Sequence, residues 1–186
     1  MAAQMAMAVV LLAGATLMIR TFVNLLEIDP GFHPRQVLTF RLTAPEGPYP
    51  DTESIVAFYD ELLRELREVP GVRQAGGARI LPLASPMGDS GIRVEGYTPA
   101  PNESMQAEWQ WATPGYLEVM NIPLLAGRTF DERDGPGGQE VLIINESLAR
   151  RFWGERDPIG TAARVFGEDC VVVGVVGDVA HNGLTG

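Results

Sequence analysis

The chain of 186 residues contains no lysine, a single cysteine and two histidines, and each scarcity removes a class of chemistry. Without lysine a Walker-type phosphate loop cannot be built, so ATP hydrolysis by that route is excluded. Cys170 alone supplies neither an internal disulfide framework nor a cysteine metal site, and it leaves the redox compartment open. His33 and His181 stand far apart in sequence, each without a second ligand at metal spacing, which argues against zinc. Ser85, Ser90 and Ser104 fall in polar loops, outside any GxSxG elbow and with no signal linking them to a histidine.

Two weaker patterns have plainer explanations. Gly174 and Gly177 resemble a fragment of a dinucleotide loop, but they sit inside an apolar run, where glycine marks close backbone packing. Asp131, Glu132 and Asp134 lie beside Gly135, Gly137 and Gly138 without the alternating ligands or closing glutamate of a calcium loop, and read as a solvated surface loop. The sequence therefore nominates no catalytic residue, no metal site and no cofactor.

Charge is also missing where it is most telling. Residues 1–19 carry none, and Gln4 and Thr16 are their only polar side chains. A helix of that composition is apolar on every side. Residues 1–26 would reach roughly 39 Å as a helix, against the roughly 30 Å of a bilayer's hydrocarbon core. Arg20, Asn24, Glu27 and Asp29 then form a polar collar, and Pro30 with Gly31 stops the helix. A secretory signal would need a basic start, which is absent; a soluble core helix would rarely be this long without charge. The expectation is a transmembrane helix over 1–26, truncated at its start because nothing flanks it, followed by one domain over 27–186.

The domain is acidic. The whole chain has 24 Asp and Glu against 14 basic residues, all arginine, a net charge of −10; only Arg20 lies before Glu27, so the domain carries 13 minus 24, or −11, which argues against nucleic acid or an anionic membrane surface as partner.

Along the domain, residues 37–43 alternate, with Leu38, Phe40 and Leu42 on the face expected to meet the core. Asp51 or Thr52 is placed to cap an amphipathic helix over 52–69, whose charged side is a solvated face. A further strand is expected over 72–83, then strands over 92–97 and 106–112. On the last of these, Trp109 and Trp111 share a face, read as core or as a sheet contact. Pro114 should open a short helix ending at Asn121, with extended chain over 122–125. Residues 141–144 read as a strand feeding a helix capped by Asn145, and residues 171–179 as a strand buried on both faces. Cys170 opens that strand and reads as packed. Gly127 and Gly160 read as turn formers, and Trp153 as core. The fold class is α+β.

Several stretches together are similar to the periplasmic core domain of MacB-like, FtsX-type ABC transporter permeases, in the branch with duplicated permease units. They are LLAGATLMIRTFVNLLEIDPGFHPRQVLTF at 11–40, PGV at 70–72, LPL at 81–83, TPGYLEVMNIPLLAGRTFDERD at 113–134, VLIINESLARRFWGERDPIG at 141–160 and VVGVVGDVAH at 172–181. The resemblance implies a bacterial inner-membrane protein whose main domain is periplasmic. It implies porter-like strand-helix-strand units with an inserted smaller β-rich subdomain, preceded by one transmembrane helix. It also implies no enzymatic activity in the chain, with ATP hydrolysis in a separate cytoplasmic ABC ATPase subunit. Motion would pass across the membrane for export or periplasmic work (mechanotransmission). A second permease half or second protomer and a periplasmic partner are implied as well. In the duplicated branch this opening corresponds to the start of the second unit. The competing reading is a membrane-anchored extracytoplasmic sensor or ligand-binding module, with Trp109 and Trp111 as its platform.

Overall fold

A computed structural model describes residues 2–33, 36–44, 47–85, 87–135 and 137–181. The first element, α1 (Ala2–Glu27), is the expected apolar helix, and its apolar side chains are exposed, among them Leu11, Leu12, Leu17 and Phe22. It is long and apolar enough to cross a membrane. Inside it the Thr16 hydroxyl donates to the Leu12 carbonyl at 2.7 Å, so the hydroxyl is satisfied within the helix.

The helix α2 (Thr52–Glu68) starts where the sequence places it. The Ser54 amide donates to the Asp51 carboxylate at 2.8 Å while the Asp51 amide donates to the Ser54 hydroxyl, a capping box. The helix ends at Val69, followed by Pro70 and by Gly71 at φ +95°. On its outer face Arg64 pairs with Glu61 and Glu68.

Among the described residues six strands form one sheet: β1 (Asp89–Val94), β2 (Gln106–Glu108), β3 (Leu124–Gly127), β4 (Val141–Asn145), β5 (Ala162–Val165) and β6 (Glu168–Val176). Its order is β2-β1-β5-β6-β3, with β4 also on β6. Along one edge β6 pairs antiparallel with β5 and then with β3; along the other it pairs in parallel with β4. Both edges are occupied, and along VVVGVV the residues Val172, Val175 and Val176 are buried while Val171 and Val173 are half-buried, which is why the run is apolar throughout. Gly174 is held by backbone contact: a Cβ there would stand 2.3 Å from the Arg128 carbonyl oxygen.

Two helical segments complete the layer on the sheet, α3 (Tyr116–Val119) and α4 (Glu146–Phe152). Asn145 caps α4 by accepting from the Leu148 amide at 3.2 Å. One cluster of buried side chains gathers Ile92, Val94, Ile144, Phe152, Trp153, Ala163, Val172 and Val175. The Trp153 indole N–H donates to the Thr161 hydroxyl at 2.8 Å, which makes its burial tolerable. A second cluster gathers Phe32, Tyr116, Leu117, Met120, Ile122 and Val176. Cys170 is buried, and burial pushes its thiol pKa up.

Helices and antiparallel strands in one chain, behind a single apolar helix, give the expected α+β class. Several local readings differ. Residues 37–43 pair with no described strand, and their apolar face lies open, with Leu38 89% exposed and Phe40 59%. The alternation encodes a half-buried strand, but a ladder needs a neighbour, and no described segment supplies one. The strand expected over 72–83 is reduced to one bridge, Ala78 to Ala112, in a stretch where Gly76 and Gly77 bring no side chains to pack. The strand expected over 106–112 stops at Glu108. The short helix begins at Tyr116 rather than Pro114, because Gly115 adopts φ +89° as its cap. The last strand begins earlier and ends earlier than expected, at Glu168 and Val176.

Candidate functional site: the joint between the apolar helix and the domain

Where α1 leaves its helical path, the chain is tied into the domain within four residues. The Asp29 carboxylate accepts from the Gly31 amide at 2.9 Å, turning the chain, and Gly31 takes φ +78°. A Cβ on Gly31 would meet the Asp178 carbonyl oxygen at 1.9 Å, so only glycine fits. Phe32 then enters the second cluster and is only 8% exposed. Burial of such a side chain stabilises by about 2–3 kcal/mol.

Backbone bonds fix both sides of this entry. The His33 amide donates to the Met120 carbonyl at 3.0 Å, and the Ala180 amide donates to the Pro30 carbonyl at 2.9 Å. The segment leaving β6 is held in turn at α4. Asp178 accepts from the Asn145 side-chain amide at 2.7 Å, from the Ser147 amide at 2.9 Å and from the Ser147 hydroxyl at 2.6 Å, with Arg150 at 3.6 Å. A carboxylate at the start of a helix is favoured by the free amides there. The end of α1 is thus linked to α3 through Phe32 and His33, and to β6 and α4 through Gly31 and Asp178.

Close packing also fixes α3 to the segment before the sheet. A Cβ on Gly76 would stand 2.4 Å from the Tyr116 amide nitrogen; the Thr113 amide donates to the Gly77 carbonyl at 2.9 Å, and the Gly77 amide donates to the Thr113 hydroxyl at 2.8 Å. Arg67 on α2 donates to the Ala75 and Pro114 carbonyls.

The remaining sequence candidates fall elsewhere. In the acidic loop Asp134 accepts two bonds from Arg128, at 2.6 and 2.8 Å, and these hold its carboxyl below the usual range. The side chain and amide of Arg133 do the same to Asp131, which lies far below that range. Among the described residues no three His, Cys, Asp or Glu side chains converge as a metal site would require. Trp109 and Trp111 meet edge to face at 4.5 Å, but Trp111 is 66% exposed, so the expectation of a core or sheet-contact pair is corrected: the chain has left β2 before either tryptophan, and no layer among the described residues covers the second. Sequence reasoning missed the joint itself. Gly31 read only as a helix stop, and Asp178 fell unremarked within the strand expected over 171–179, because their meeting joins positions far apart in the chain.

The chain is thus an α+β domain joined to one helix that is long and apolar enough to cross a membrane. The MacB-like periplasmic core domain family model matches residues 2–186, and the chain belongs to that family. Among curated relatives, it is 31% identical over 78 residues to the probable syringafactin export ATP-binding/permease protein SyfD of Pseudomonas syringae pv. tomato, covering 41% of this chain and 12% of that protein. It is 29% identical over 62 residues to the uncharacterized ABC transporter permease YknZ of Bacillus subtilis, covering 33% of this chain and 16% of that one. The chain thus matches a small part of the length of either relative. Among solved structures, the periplasmic region of MacB from Actinobacillus actinomycetemcomitans is 19% identical with a TM-score of 0.46, over 66% of this chain and 55% of that one. The extracellular domain of YknZ from Gram-positive bacteria is 22% identical with a TM-score of 0.45, over 66% of this chain and 62% of that one.

Proposed function

We propose that this chain is the non-catalytic, extracytoplasmic part of an ABC transporter permease, with residues 1–26 in the bacterial inner membrane and 27–186 forming the periplasmic domain. It carries motion from an ATP cycle run by a separate cytoplasmic ATPase into that domain, for export or for work on periplasmic partners. The observation that carries this reading is the joint: a helix fit to cross a membrane ends without slack, with Phe32 packed in the core and Gly31 in contact with Asp178. A flexible tether would absorb displacement of the helix, whereas a packed joint passes it on. The family relationship and the permease relatives support the same reading.

The test uses the whole permease with its ATPase in lipid vesicles. Phe32→Ala should leave ATP turnover running while the transported output falls at least severalfold, and Phe40→Ala, on the open segment, should leave both unchanged. Equal output from Phe32→Ala and the parent would refute transmission through the joint. ATP hydrolysis by the purified chain alone would refute the non-catalytic assignment.

A further inference from the structure

Trp109 is the hub of an aromatic and cationic patch. Its ring meets Trp111 at 4.5 Å and Phe166 at 4.4 Å, both edge to face, and the Arg79 guanidinium lies over it at 4.9 Å and over Trp111 at 5.7 Å. The parts come from three places in the chain. The Arg79 amide donates to the Trp111 carbonyl and the Trp109 amide to the Gly88 carbonyl, so the loop between Arg79 and Gly88 is pinned beside the tryptophans at both ends. Phe166 comes from the hairpin between β5 and β6.

That hairpin is built against its own turn chemistry. Val165 faces Glu168, which leaves a two-residue turn of Phe166 at φ +56° and Gly167 at φ +86°. Positive φ at both positions is the type I′ geometry, which favours asparagine followed by glycine and disfavours a bulky first residue. Burial does not repay the strain, since Phe166 is 54% exposed. Leu83, in the pinned loop, shows the same combination of positive φ and exposure. Strained, exposed apolar residues are the kind of feature retained for contact with something else.

Charge narrows the occupant. The chain carries −10 overall, and Arg79, which lies over both indoles, is in no ion pair among the described residues, which leaves its charge open to a carboxylate. We infer that this patch docks a segment of another protein that presents an apolar side chain flanked by Asp or Glu. The apolar side chain packs against Trp111 and Phe166, and a carboxylate meets Arg79. The inference does not depend on motion reaching the domain, and docking would stand if transmission through the joint failed.

The test uses the full chain in detergent and two short synthetic peptides, one with a Leu-Phe pair flanked by aspartates and one with lysines in their place, read by tryptophan fluorescence and calorimetry. The aspartate peptide should bind about threefold to fivefold more tightly, the range of one exposed ion pair. Arg79→Glu should reverse the preference. Phe166→Asn should lose aspartate-peptide binding while the melting temperature holds or rises, since asparagine relieves the turn; a merely structural Phe166 would move both downward. Equal binding of the two peptides, no binding of either at millimolar concentration, or unchanged binding in Phe166→Asn would overturn the proposal. So would full displacement of the aspartate peptide by a small anionic aromatic such as benzoate, which would assign the patch to a small ligand.

Discussion

Gly31 and Asp178 lie back to back: a β-carbon on the first would stand 1.9 Å from the carbonyl oxygen of the second. The contact joins the exit of α1 to the exit of β6. Gly31→Ala adds a left-handed penalty of about 1–2 kcal/mol to a clash with rigid backbone. We expect a loss of about 2 kcal/mol or more, lowering the melting temperature by roughly 5 °C or more, checked by thermal denaturation.

Phe32 and Phe40 are eight residues apart and should behave as opposites. Phe32→Ala opens a cavity in the second cluster and is expected to cost about 3 kcal/mol, with faster amide exchange at Val176 and Ile122. Phe40→Ala removes an exposed ring and should change stability by less than about 0.5 kcal/mol. Chemical denaturation of the two variants side by side checks both.

His181 gives a pH dependence of known sign. Burial lowers its pKa from the usual 6.5, with Glu108 opposing. The folded state favours the neutral ring, so the stability this provides is present above about pH 6.5 and is lost as pH falls through the lower folded value. His181→Gln should therefore flatten the fall in melting temperature on acidification. The measurement is the difference between the two melting profiles, which removes the carboxylates common to both.

Trp153→Phe keeps most of the buried ring but leaves the Thr161 hydroxyl without the indole donor. A loss of about 1 kcal/mol is expected, measured in urea. Trp111→Phe, at an exposed ring, should be near neutral.

Legibility in the sequence followed the range of the interaction. Asp51 and Asn145 were readable as caps because a cap is settled within four residues, and the apolar run of α1 needed no partner to be recognised. The run through β6 announced a strand with both faces covered, though not its start, because Glu168 and Asp169 lie at its exposed end. Residues 37–43 carry an equally clear alternation and still lack a ladder among the described residues, since pattern specifies a face and not a neighbour. The joint was illegible for the same reason. Nothing near Gly31 in the chain tells of Asp178, and nothing near Phe32 tells of Met120 and Ile122. Trp111 shows the converse case, a residue type expected inside that the end of β2 leaves outside.

Val175 and Val176 are consecutive residues of β6, and they belong to different clusters: the first to the one built on Phe152 and Trp153, the second to the one that receives Phe32. A strand that serves as a wall for both rooms gives neither a way to melt alone. Amides along β6 should be among the slowest to exchange, and denaturation of the sheet and loss of the grip on α1 should fall in a single transition. Anything that pulls on the end of α1 is thus resisted by the cooperativity of the whole sheet, not by the few contacts at the joint.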